Sequence, residues 1–436
     1  MNDNKISKNS IVAKFAVPIS FLILFFLAAN FTDCDLVTFW KRRSHLTDLV
    51  VDMIPPDFSY IQKILLPLFY TIQMSVTGTV LGIFFALVLS PFGAANLGFP
   101  AVIRRILRIV IQILRSFPAL ILALTATFLF GLGTFAGTFA ITLYTFAIMT
   151  KLTYEDASAA DVKAYQALRA MGVSKYVAYI HGILPEIIPG FLTNALYLLE
   201  TNVRHSSILG YVGAGGIGLL LNEKISWLEY DKVGTILLML FLTVCVIEYF
   251  SRYLAALIRK ERTIKKEQAR LLLLFLAALF LICTFTLSLP DFSRTSPQTL
   301  RNMFAGFLQP DWSFFFSAEK DGLGYLLLET VCIAFIGTVI GAIVSAPLAF
   351  LNTKRFVPAP VSFLFNLVIM AIRSVPFLVY GLIFIRVSGP GAFTGVLTLA
   401  VCSIGLLTKR FTEALDALDP RPYHALLAMG GRPLPA

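Results

Sequence analysis

Long uninterrupted apolar runs, separated by short polar segments, make up most of the chain. The run LLLLFLAALFLICTFTLSL at 271–289 contains no charged residue, and the run at 11–30 contains one lysine near its start. An apolar run of about 18 residues or more can cross the roughly 30 Å hydrocarbon core of a bilayer as a helix. The pattern therefore predicts an all-α polytopic membrane protein with ten spans. They lie near 11–30, 64–89, 108–131, 133–150, 186–209, 233–257, 270–289, 323–350, 360–387 and 392–408.

The overall composition agrees with this pattern and excludes the soluble globular class. Of the 436 residues, 57% are hydrophobic and 14% are charged, whereas soluble proteins carry about 25% charged residues. The first apolar run is longer than the core of a signal peptide, and no small-residue cleavage site with a soluble domain follows it. We therefore interpret this run as a retained membrane helix.

The net charge of +11 is distributed in a way that indicates topology. Every second loop is basic, and the residues concerned are Lys5, Lys8, Lys14, Arg104, Arg105, Arg108, Lys151, Lys163, Arg169, Lys175, Arg259, Lys260, Arg262, Lys265, Lys266 and Arg270. The positive-inside rule then predicts a multi-pass cell-membrane protein with its N-terminus in the cytoplasm. The segment WKRR at 40–43 goes against the rule. Because topology accounts for most of the charge, we expect contact with membrane lipid and no nucleic-acid partner.

The sequence predicts no metal, disulfide or nucleotide site. The five cysteines form no CxxC pair, and the four histidines do not cluster with them. GAGGIG at 213–218 has the spacing of a dinucleotide-binding loop, but it follows a membrane helix and no βαβ unit surrounds it. The sequence contains no GxxxxGK[ST] phosphate loop. We therefore expect no cofactor in this chain, no enzymatic activity of its own and an energy source outside it.

Three segments of the chain occur twice. The pairs are TIQMSVTGTVLG (71–82) with TVCIAFIGTVIG (330–341), RSFPAL (115–120) with RSVPFL (373–378), and KLTYEDASAADVKAYQALRAMG (151–172) with KRFTEALDALDPRPYHALLAMG (409–430). The offset is 259 residues for the first pair and 258 for the others. A constant offset over three segments indicates an internal duplication.

The duplication predicts two helical units joined by the basic segment at 259–270. The first unit, 1–262, holds six spans and a polar segment at 151–185, and the second, 263–436, holds four spans. Because six is an even number, both units begin on the same side of the membrane, and a substrate path is expected between such parallel repeats. The second unit lacks counterparts to everything after about Ser174, so we expect a truncated unit or a separate polypeptide that supplies the rest.

The polar segment ends in YQALRAMGVSKYVAYIHGILPEIIPG at 165–190. This stretch predicts a short helix, a stop at Gly172, a second helix and a proline-marked start of the fifth span. Ala167, Leu168 and Met171 contribute to a small apolar patch. Such a projecting helix docks into a groove on a partner protein or lies on lipid headgroups, and the pattern alone leaves both open.

The spacing in this stretch resembles the cytoplasmic coupling loop of ABC importer permeases, whose pattern is Glu-Ala-Ala, three residues, Gly, nine residues, Ile, one residue, Leu-Pro. Gln166 and His424 stand in place of the glutamate, and Gly182 replaces the isoleucine. The resemblance implies that each copy docks on one subunit of an ATPase dimer, which binds ATP and Mg²⁺. The implied docking residues are Gln166, Ala167, Leu168, Gly172, Leu184 and Pro185 in the first copy and His424, Ala425, Leu426 and Gly430 in the second.

The fifth span contains ionisable residues. Glu200 and Arg204 lie four residues apart, on one helix face, where they can pair. Charged groups inside a membrane segment face a protein interior or a water-filled path. One interpretation is a structural ion pair. The other places the substrate path along Glu200, Asn202, Arg204, Ser206 and Ser207, because the arginine fork suits phosphorus oxyanions.

The segment ETNVRHSSILGYVGAGGIG at 200–218 resembles the phosphonate permease branch of the ABC importers. The family motif is close to Glu-x-Asn-Val-Arg-Ser-Ala, followed by a Gly-Ala-Gly-Gly-Ile-Gly turn. Further resemblance lies in IPPDFS (54–59) and its echo QPDWS (309–313), GLGTFAG (131–137), KLTYE (151–155) and KRFTE (409–413). Many members have Arg-Ser-Ile-Pro-Glu-Leu where this chain has Ala119 and Phe377 in place of the glutamate. The turn residues Gly213, Gly215, Gly216 and Gly218 are expected near the outer gate, where backbone packs closely or flexes.

The resemblance implies two tandem type I permease units, the second one truncated, that move phosphonates, phosphite or phosphate into the cytoplasm by alternating access. An extracytoplasmic binding protein would deliver the substrate, and closure of the ATPases would reorient the two halves. Which phosphorus oxyanion is carried stays open. The alternatives are an ion-coupled secondary transporter and an ABC permease for methionine or quaternary amines.

Overall fold

The computed structural model describes residues 18–33, 36–260, 265–290, 297–317, 319–320, 322–419, 421 and 428–430. Within these residues the regular structure is helical, as the apolar pattern predicts. The α-helices are α1 Pro18–Phe31, α2 Leu36–Asp52, α3 Ile61–Gly93, α4 Ala101–Ser116, α5 Ala119–Phe130, α6 Thr134–Ala159, α7 Lys163–Ala170, α8 Lys175–Gly182, α9 Leu184–Leu209, α10 Ile217–Ser226, α11 Tyr230–Ile258, α12 Lys266–Phe285, α13 Pro297–Leu308, α14 Trp312–Phe316, α15 Leu323–Asn352, α16 Ala359–Ser374, α17 Phe377–Ser388 and α18 Ala392–Ala417. Short 3₁₀ helices occupy Phe58–Tyr60 and Gly210–Val212.

Six of these helices are long and apolar enough to cross a membrane: α3, α6, α11, α12, α15 and α18. The pairs α4–α5, α8–α9 and α16–α17 pass the same test only when each bent pair is taken as one span, which gives up to nine spans in the described residues. Helix α1 is apolar but shorter. The beginning of its predicted span, 11–17, lies outside the described residues.

Two of the predicted spans are broken in the middle. The axes of α4 and α5 meet at 94°, and those of α16 and α17 meet at 85°. The prediction of one continuous helix near 108–131 and another near 360–387 is therefore wrong. The break has a local cause, because a proline disfavours the helical conformation in the residue before it. Phe117 precedes Pro118 and has an extended ψ of 124°; Val375 in the second copy has a ψ of 125°.

The bounds of the helices repeat along the chain. Helices α16, α17 and α18 each begin and end 258 residues after α4, α5 and α6. The close packing of helix pairs repeats as well. A Cβ atom added to Gly78 on α3 would lie 2.8 Å from Cβ of Ile141 on α6, and one added to Gly337 on α15 would lie 2.8 Å from Cβ of Leu399 on α18. Small residues at such crossings let membrane helices approach closely.

Packing divides the chain into two compact units. One comprises Met53–Ala305, and the other comprises Met1–Asp52 together with Gly306–Ala436. In the first unit, α12 packs against α3, where Nε2 of Gln73 donates a hydrogen bond to the carbonyl oxygen of Cys283 at 3.0 Å. Helix α12 follows the basic segment between the copies, yet its contacts are with the helices of the first copy.

In the second unit, α1 packs against α15 and α18. Ala28 of α1 is buried in one cluster with Ile336 of α15 and Val396 of α18. The two packing units thus follow contacts, whereas the boundary after residue 262 was drawn from the duplication of the sequence. That boundary stays a prediction.

Exposed apolar side chains cover much of the helix surface. Ile106 and Ile109 on α4 are exposed, as are Leu273 and Phe285 on α12. A soluble protein rarely exposes contiguous apolar surface of this kind, and the mean hydropathy of +0.80 agrees with this. The surface fits the lipid contact that the sequence predicts.

Candidate functional site

We call residues 163–182, which form α7, the following turn and α8, the lever. The turn is made by Gly172, whose φ of +84° is in the left-handed region that glycine adopts without strain. The backbone N–H of Val173 donates to the carbonyl oxygen of Leu168 at 3.2 Å, which closes the end of α7. Ser174 caps α8, because its hydroxyl accepts a hydrogen bond from the N–H of Val177 at 3.4 Å. The predicted helix, stop and second helix are confirmed.

The close approach of α7 and α8 explains one departure from the family pattern. A Cβ atom on Gly182 would lie 2.8 Å from the backbone nitrogen of Tyr165 on α7. Backbone atoms inside a helix cannot move away from such a contact, so the isoleucine of the family pattern does not fit this geometry. Gly182 is therefore part of the lever's packing.

The lever is attached to the ends of the long helices of its unit. The hydroxyl of Tyr165 donates to the carbonyl oxygen of Leu97, in the loop after α3, at 2.6 Å. Burial raises the pKa of Tyr165, which keeps the hydroxyl protonated as a donor. Tyr165 shares a buried cluster with Ala94, Leu97, Tyr154, Ala157, Ala178, Tyr179, Ile183 and Ile187. The lever is therefore packed against the ends of α3 and α6 and the beginning of α9.

The tip of the lever is exposed. Gln166, Ala167 and Gly172 are exposed, Leu168 is half-buried, and the side chain of Met171 is 71% exposed. An exposed methionine next to a glycine in the left-handed conformation forms a small apolar tip.

The second copy repeats this tip. Met429 is 75% exposed and precedes Gly430, whose φ is +87°. The predicted docking residues His424, Ala425 and Leu426 lie outside the described residues.

The start of α9 follows the lever directly. Leu184 is partly buried against the lever cluster, and Pro185 is exposed in the first turn of α9. Proline is accommodated there because the first turn of a helix has no intrahelical acceptor for its N–H. The predicted proline-marked start is confirmed, and a contact of these two residues with an ATPase stays a prediction.

Further along α9, Glu200 and Arg204 form an ion pair within one helix face. The side chain of Glu200 is 6% exposed and that of Arg204 is 19% exposed. Each of these buried charges is stabilised by the other, because a buried charge without a partner loses its hydration and gains nothing in return. The pairing interpretation of the sequence is confirmed, and contact of Arg204 with a substrate stays a prediction.

The polar residues beside this pair are fully buried between helices. The side-chain amide of Asn202 donates to the hydroxyls of Thr79 on α3 and Thr145 on α6, at 2.8 Å each. The hydroxyls of Ser206 and Ser75 lie 2.8 Å apart. These bonds join α9 to α3 and α6.

Ser207 is buried within α9 itself. Its hydroxyl donates to the carbonyl oxygen of Arg204 at 2.6 Å. In this structure Asn202 and Ser206 therefore join helices, whereas Ser207 is bonded within α9. The place of all three along a substrate path stays a prediction.

Replacing Glu200 by glutamine should destabilise the protein, because it leaves Arg204 as a buried charge without its carboxylate. The expected loss is about 3 kcal/mol, measured as a lower thermal unfolding midpoint in detergent. The double variant Glu200→Gln with Arg204→Gln should recover most of this stability. A double variant that is stable but inactive in uptake would assign Arg204 to the path, whereas one that is stable and active would leave the pair a purely structural role.

The glycine turn connects α9 to α10. Gly213, Gly215 and Gly216 have φ of +84°, +77° and +75°. A Cβ atom on Gly218 would lie 2.0 Å from the carbonyl oxygen of Ser207, so the turn packs directly on the backbone of α9. The predicted close packing of this turn is confirmed, and its action as a gate stays a prediction.

An ionic cluster beside this turn was not predicted. Lys224 of α10 is buried, and its Nζ lies 2.9 Å from a carboxylate oxygen of Glu223 and 2.9 Å from one of Glu229. Burial alone lowers the pKa of Lys224, but the hydrogen bonds to the two carboxylates outweigh burial, and the pKa is raised. The same Nζ lies 4.2 Å from the ring centroid of Trp227. The signal in the sequence was three ionisable residues in one short segment between two spans.

A capping motif occurs at the same place in both units. The carboxylate of Asp57 accepts the N–H of Ser59 at 3.0 Å, and that of Asp311 accepts the N–H of Ser313 at 2.9 Å. Hydrogen bonds from the serine hydroxyls lower the pKa of both aspartates. The echo between IPPDFS and QPDWS therefore has a structural basis in a shared turn.

Comparisons with known proteins agree with these features. Residues 78–263 match the family described as binding-protein-dependent transport system inner membrane component. The chain is 31% identical over 217 residues to the phosphite transport system permease protein PtxC of Stutzerimonas stutzeri, covering 50% of this chain and 79% of PtxC. It is 31% identical over 242 residues to the putative phosphite transport system permease protein HtxC of the same organism, covering 55% of this chain and 86% of HtxC.

A longer match extends over most of the chain. The phosphate-import permease protein PhnE of Mycolicibacterium smegmatis is 25% identical over 395 residues, covering 89% of this chain and 73% of that protein. Among solved structures, an inward-facing form of the MetNI methionine ABC transporter is 21% identical with a TM-score of 0.42, covering 46% of this chain and 99% of that chain.

The matches define the class of protein as the membrane-spanning permease subunit of an ABC importer. Within that class, the chain belongs to the family of phosphonate and phosphite permeases. Its function is transport across the membrane in which its helices lie. Membership of this family favours the ABC permease over the ion-coupled secondary transporter.

Proposed function

We propose that the chain forms the membrane path of an importer for phosphorus oxyanions, a class that includes phosphite, phosphate and alkylphosphonates. The observation that carries this proposal is the match to two permeases named for phosphite transport, each 31% identical and covered over 79% and 86% of its length. The MetNI structure has no bearing on the substrate, because its similarity to this chain is too low.

The chemistry of α9 suits such a substrate. Arg204 is the proposed contact, since a guanidinium group binds two oxygens of a phosphorus oxyanion with parallel hydrogen bonds. In the unloaded path its charge is balanced by Glu200. An arriving anion would compete with that carboxylate for the guanidinium group. Asn202, Ser206 and Ser207 would position α9 while this exchange takes place.

The energy for transport would come from a separate ATPase dimer that binds ATP and Mg²⁺, with no cofactor in this chain. Each apolar tip, Met171–Gly172 and Met429–Gly430, would sit in a groove of one ATPase subunit. Closure of the dimer would push the lever, and the buried cluster around Tyr165 would pass the movement to α3, α6 and α9. In this arrangement the lever, both apolar tips and the N-terminus would lie in the cytoplasm, and the glycine turn would lie near the opposite mouth. There an extracytoplasmic binding protein would deliver the substrate.

Uptake competition tests the substrate class. With its ATPase and binding protein co-expressed, the chain should take up labelled phosphite, and unlabelled phosphate or methylphosphonate should compete, whereas methionine and choline should not. Collapse of the proton gradient with an uncoupler, at constant ATP, should leave uptake unchanged. Competition by methionine alone would contradict the proposal, and loss of uptake with the uncoupler would support ion-coupled transport.

A further inference from the structure

An arginine stands at the break of each bent helix pair. Arg115 lies in the last turn of α4 and Arg373 in the last turn of α16, 258 residues later. In the sequence these two residues are only the first residues of the duplicated segments RSFPAL and RSVPFL. The structure shows that both lie where the path of the backbone turns by 94° and 85°.

Arg115 lies within electrostatic range of a membrane-crossing helix, α6. Its charge acts on the hydroxyls of both Tyr144 and Tyr154 of α6. Helix α6 spans Thr134–Ala159, so Tyr144 is ten residues from its beginning and Tyr154 is five residues from its end. Arg115 therefore lies near the part of α6 that carries these two tyrosines. An ionisable residue within a membrane segment faces a protein interior or a water-filled path and is a candidate functional group.

Arg115 differs from Arg204 in its charge balance. Its side chain is exposed, and among the described residues no carboxylate lies within 4.0 Å of it. The charge of Arg204, in contrast, is compensated by Glu200 in the same helix. Arg115 thus contributes a positive charge to its surroundings that a diffusible anion can neutralise.

Polar side chains of α6 and α9 lie within electrostatic range of one another near Arg115. The ring of Tyr144 lies 5.1 Å from the ring of His205, which follows Arg204 on α9. Tyr197 of α9 also lies within electrostatic range of the Tyr144 hydroxyl. These groups connect the surroundings of the break of α4 with the segment of α9 that carries the ion pair.

In the second copy, a glycine on α18, Gly405, leaves room for the side chain of Arg373. Arg373 is half-buried against α18, and a Cβ atom on Gly405 would lie 2.8 Å from Cγ of Arg373. The residue at this register of α6 in the first copy is Ala147. Gly405 lets the aliphatic stem of Arg373 pass closely over α18, so both copies hold an arginine at the break.

We propose that Arg115 and Arg373 are anion-binding residues of the transport path, each binding the phosphorus oxyanion at the helix break of its own copy. This inference rests on the proposed function and adds two residues to it. The guanidinium group supplies two parallel N–H donors to two oxygens of the anion, which a lysine cannot do. If the arginines served only as cations that stabilise the C-terminal ends of α4 and α16, lysine variants at these positions would function as well as the wild type.

Charge-removing variants test the proposal in the full transporter with its ATPase and binding protein. Arg115→Gln and Arg373→Gln should each lower the rate of phosphite uptake per transporter about tenfold or more, with normal amounts of ATPase co-purified. The lysine variants should stay several-fold below wild type. Arg105→Gln, on an exposed position of the same helix α4, is the matched control and should stay within about twofold of wild type.

Chemical restoration of the charge separates binding from folding. Arg115→Cys should lose uptake, and modification with a methanethiosulfonate carrying a trimethylammonium group should restore part of it. The reagent carrying a sulfonate should not, because it adds the wrong charge. Wild-type protein, with its own five cysteines, gives the baseline for both reagents.

The possible outcomes distinguish failure of the arginine proposal from failure of the proposed function. If wild type takes up phosphite and the glutamine variants do so equally well, the arginine proposal is overturned while the proposed function stands. Equal restoration by both reagents, or full activity of the lysine variants, also overturns it. If wild type takes up no phosphorus oxyanion at all, the proposed function itself fails.

Discussion

Replacing Met171 and Met429 together by glutamate is expected to abolish recovery of the ATPase with the permease and to reduce uptake about a hundredfold or more. Both side chains are mostly exposed in the isolated chain, so the substitutions should not disturb folding. In the proposed complex each methionine is buried in a groove of the ATPase. The measurement is the amount of ATPase that co-purifies with a tagged permease.

The size of this effect follows from burial. A methionine side chain transferred from water into an apolar groove contributes about 2 kcal/mol, which corresponds to about 30-fold in affinity. A glutamate in the same groove also loses its hydration without a partner. Because the two tips would bind linked ATPase subunits, losing both removes the gain from simultaneous binding.

Two controls make the lever prediction specific. Leu219→Glu changes an exposed apolar residue on α10, which follows the opposite end of α9 from the lever, and it should leave ATPase recovery unchanged. The single variants Met171→Glu and Met429→Glu should each show a partial loss. Full recovery of the ATPase with the double variant would show that the tips do not dock.

Gly218→Ala is expected to be the most destabilising small substitution in the glycine turn. The added methyl group would lie 2.0 Å from the carbonyl oxygen of Ser207 and 3.2 Å from Cα of Gly210. Both are backbone atoms, so relief requires the turn and α9 to separate. We expect a loss of about 3 kcal/mol or more and a thermal unfolding midpoint lower by roughly 6–12 °C.

The matched control is Gly190→Ala in α9, the helix on which Gly218 packs. The nearest atom to its added methyl group is a carboxylate oxygen of Asp156, 4.0 Å away. Alanine in a helix interior is about 1 kcal/mol more favourable than glycine, so this variant should be neutral or stabilising. Opposite signs for the two variants would support close packing at the turn, and equal midpoints would argue against it.

Features that depend on neighbouring residues in the chain could be predicted from the sequence. Helix α12 followed from a run of apolar residues, and the stop at Gly172 followed from a glycine after a short amphipathic helix. The pairing of Glu200 with Arg204 followed from their separation by one helical turn. The duplication also needed only a comparison of the chain with itself, and the 258-residue offset between helix bounds agrees with it.

Contacts between distant parts of the chain were decided by the tertiary structure. The bonds from Asn202 to Thr79 and Thr145 join residues more than 50 positions apart, and nothing local in their segments indicates which helices meet. For the same reason the sequence did not predict the close contact between Gly182 and Tyr165. In the sequence Gly182 was only a departure from a family pattern.

The sequence by itself determined the long apolar helices and the internal repeat, because hydropathy and helical periodicity are properties of consecutive residues. The tertiary structure alone decided that Asn202 joins α9 to α3 and α6, that α1 packs against the helices of the second copy, and that α12 packs against those of the first. Those outcomes depend on which helix surfaces come within a few ångströms of each other. In an apolar chain many helix surfaces are alike in composition, so the choice among them rests on small residues and buried hydrogen bonds contributed from distant positions.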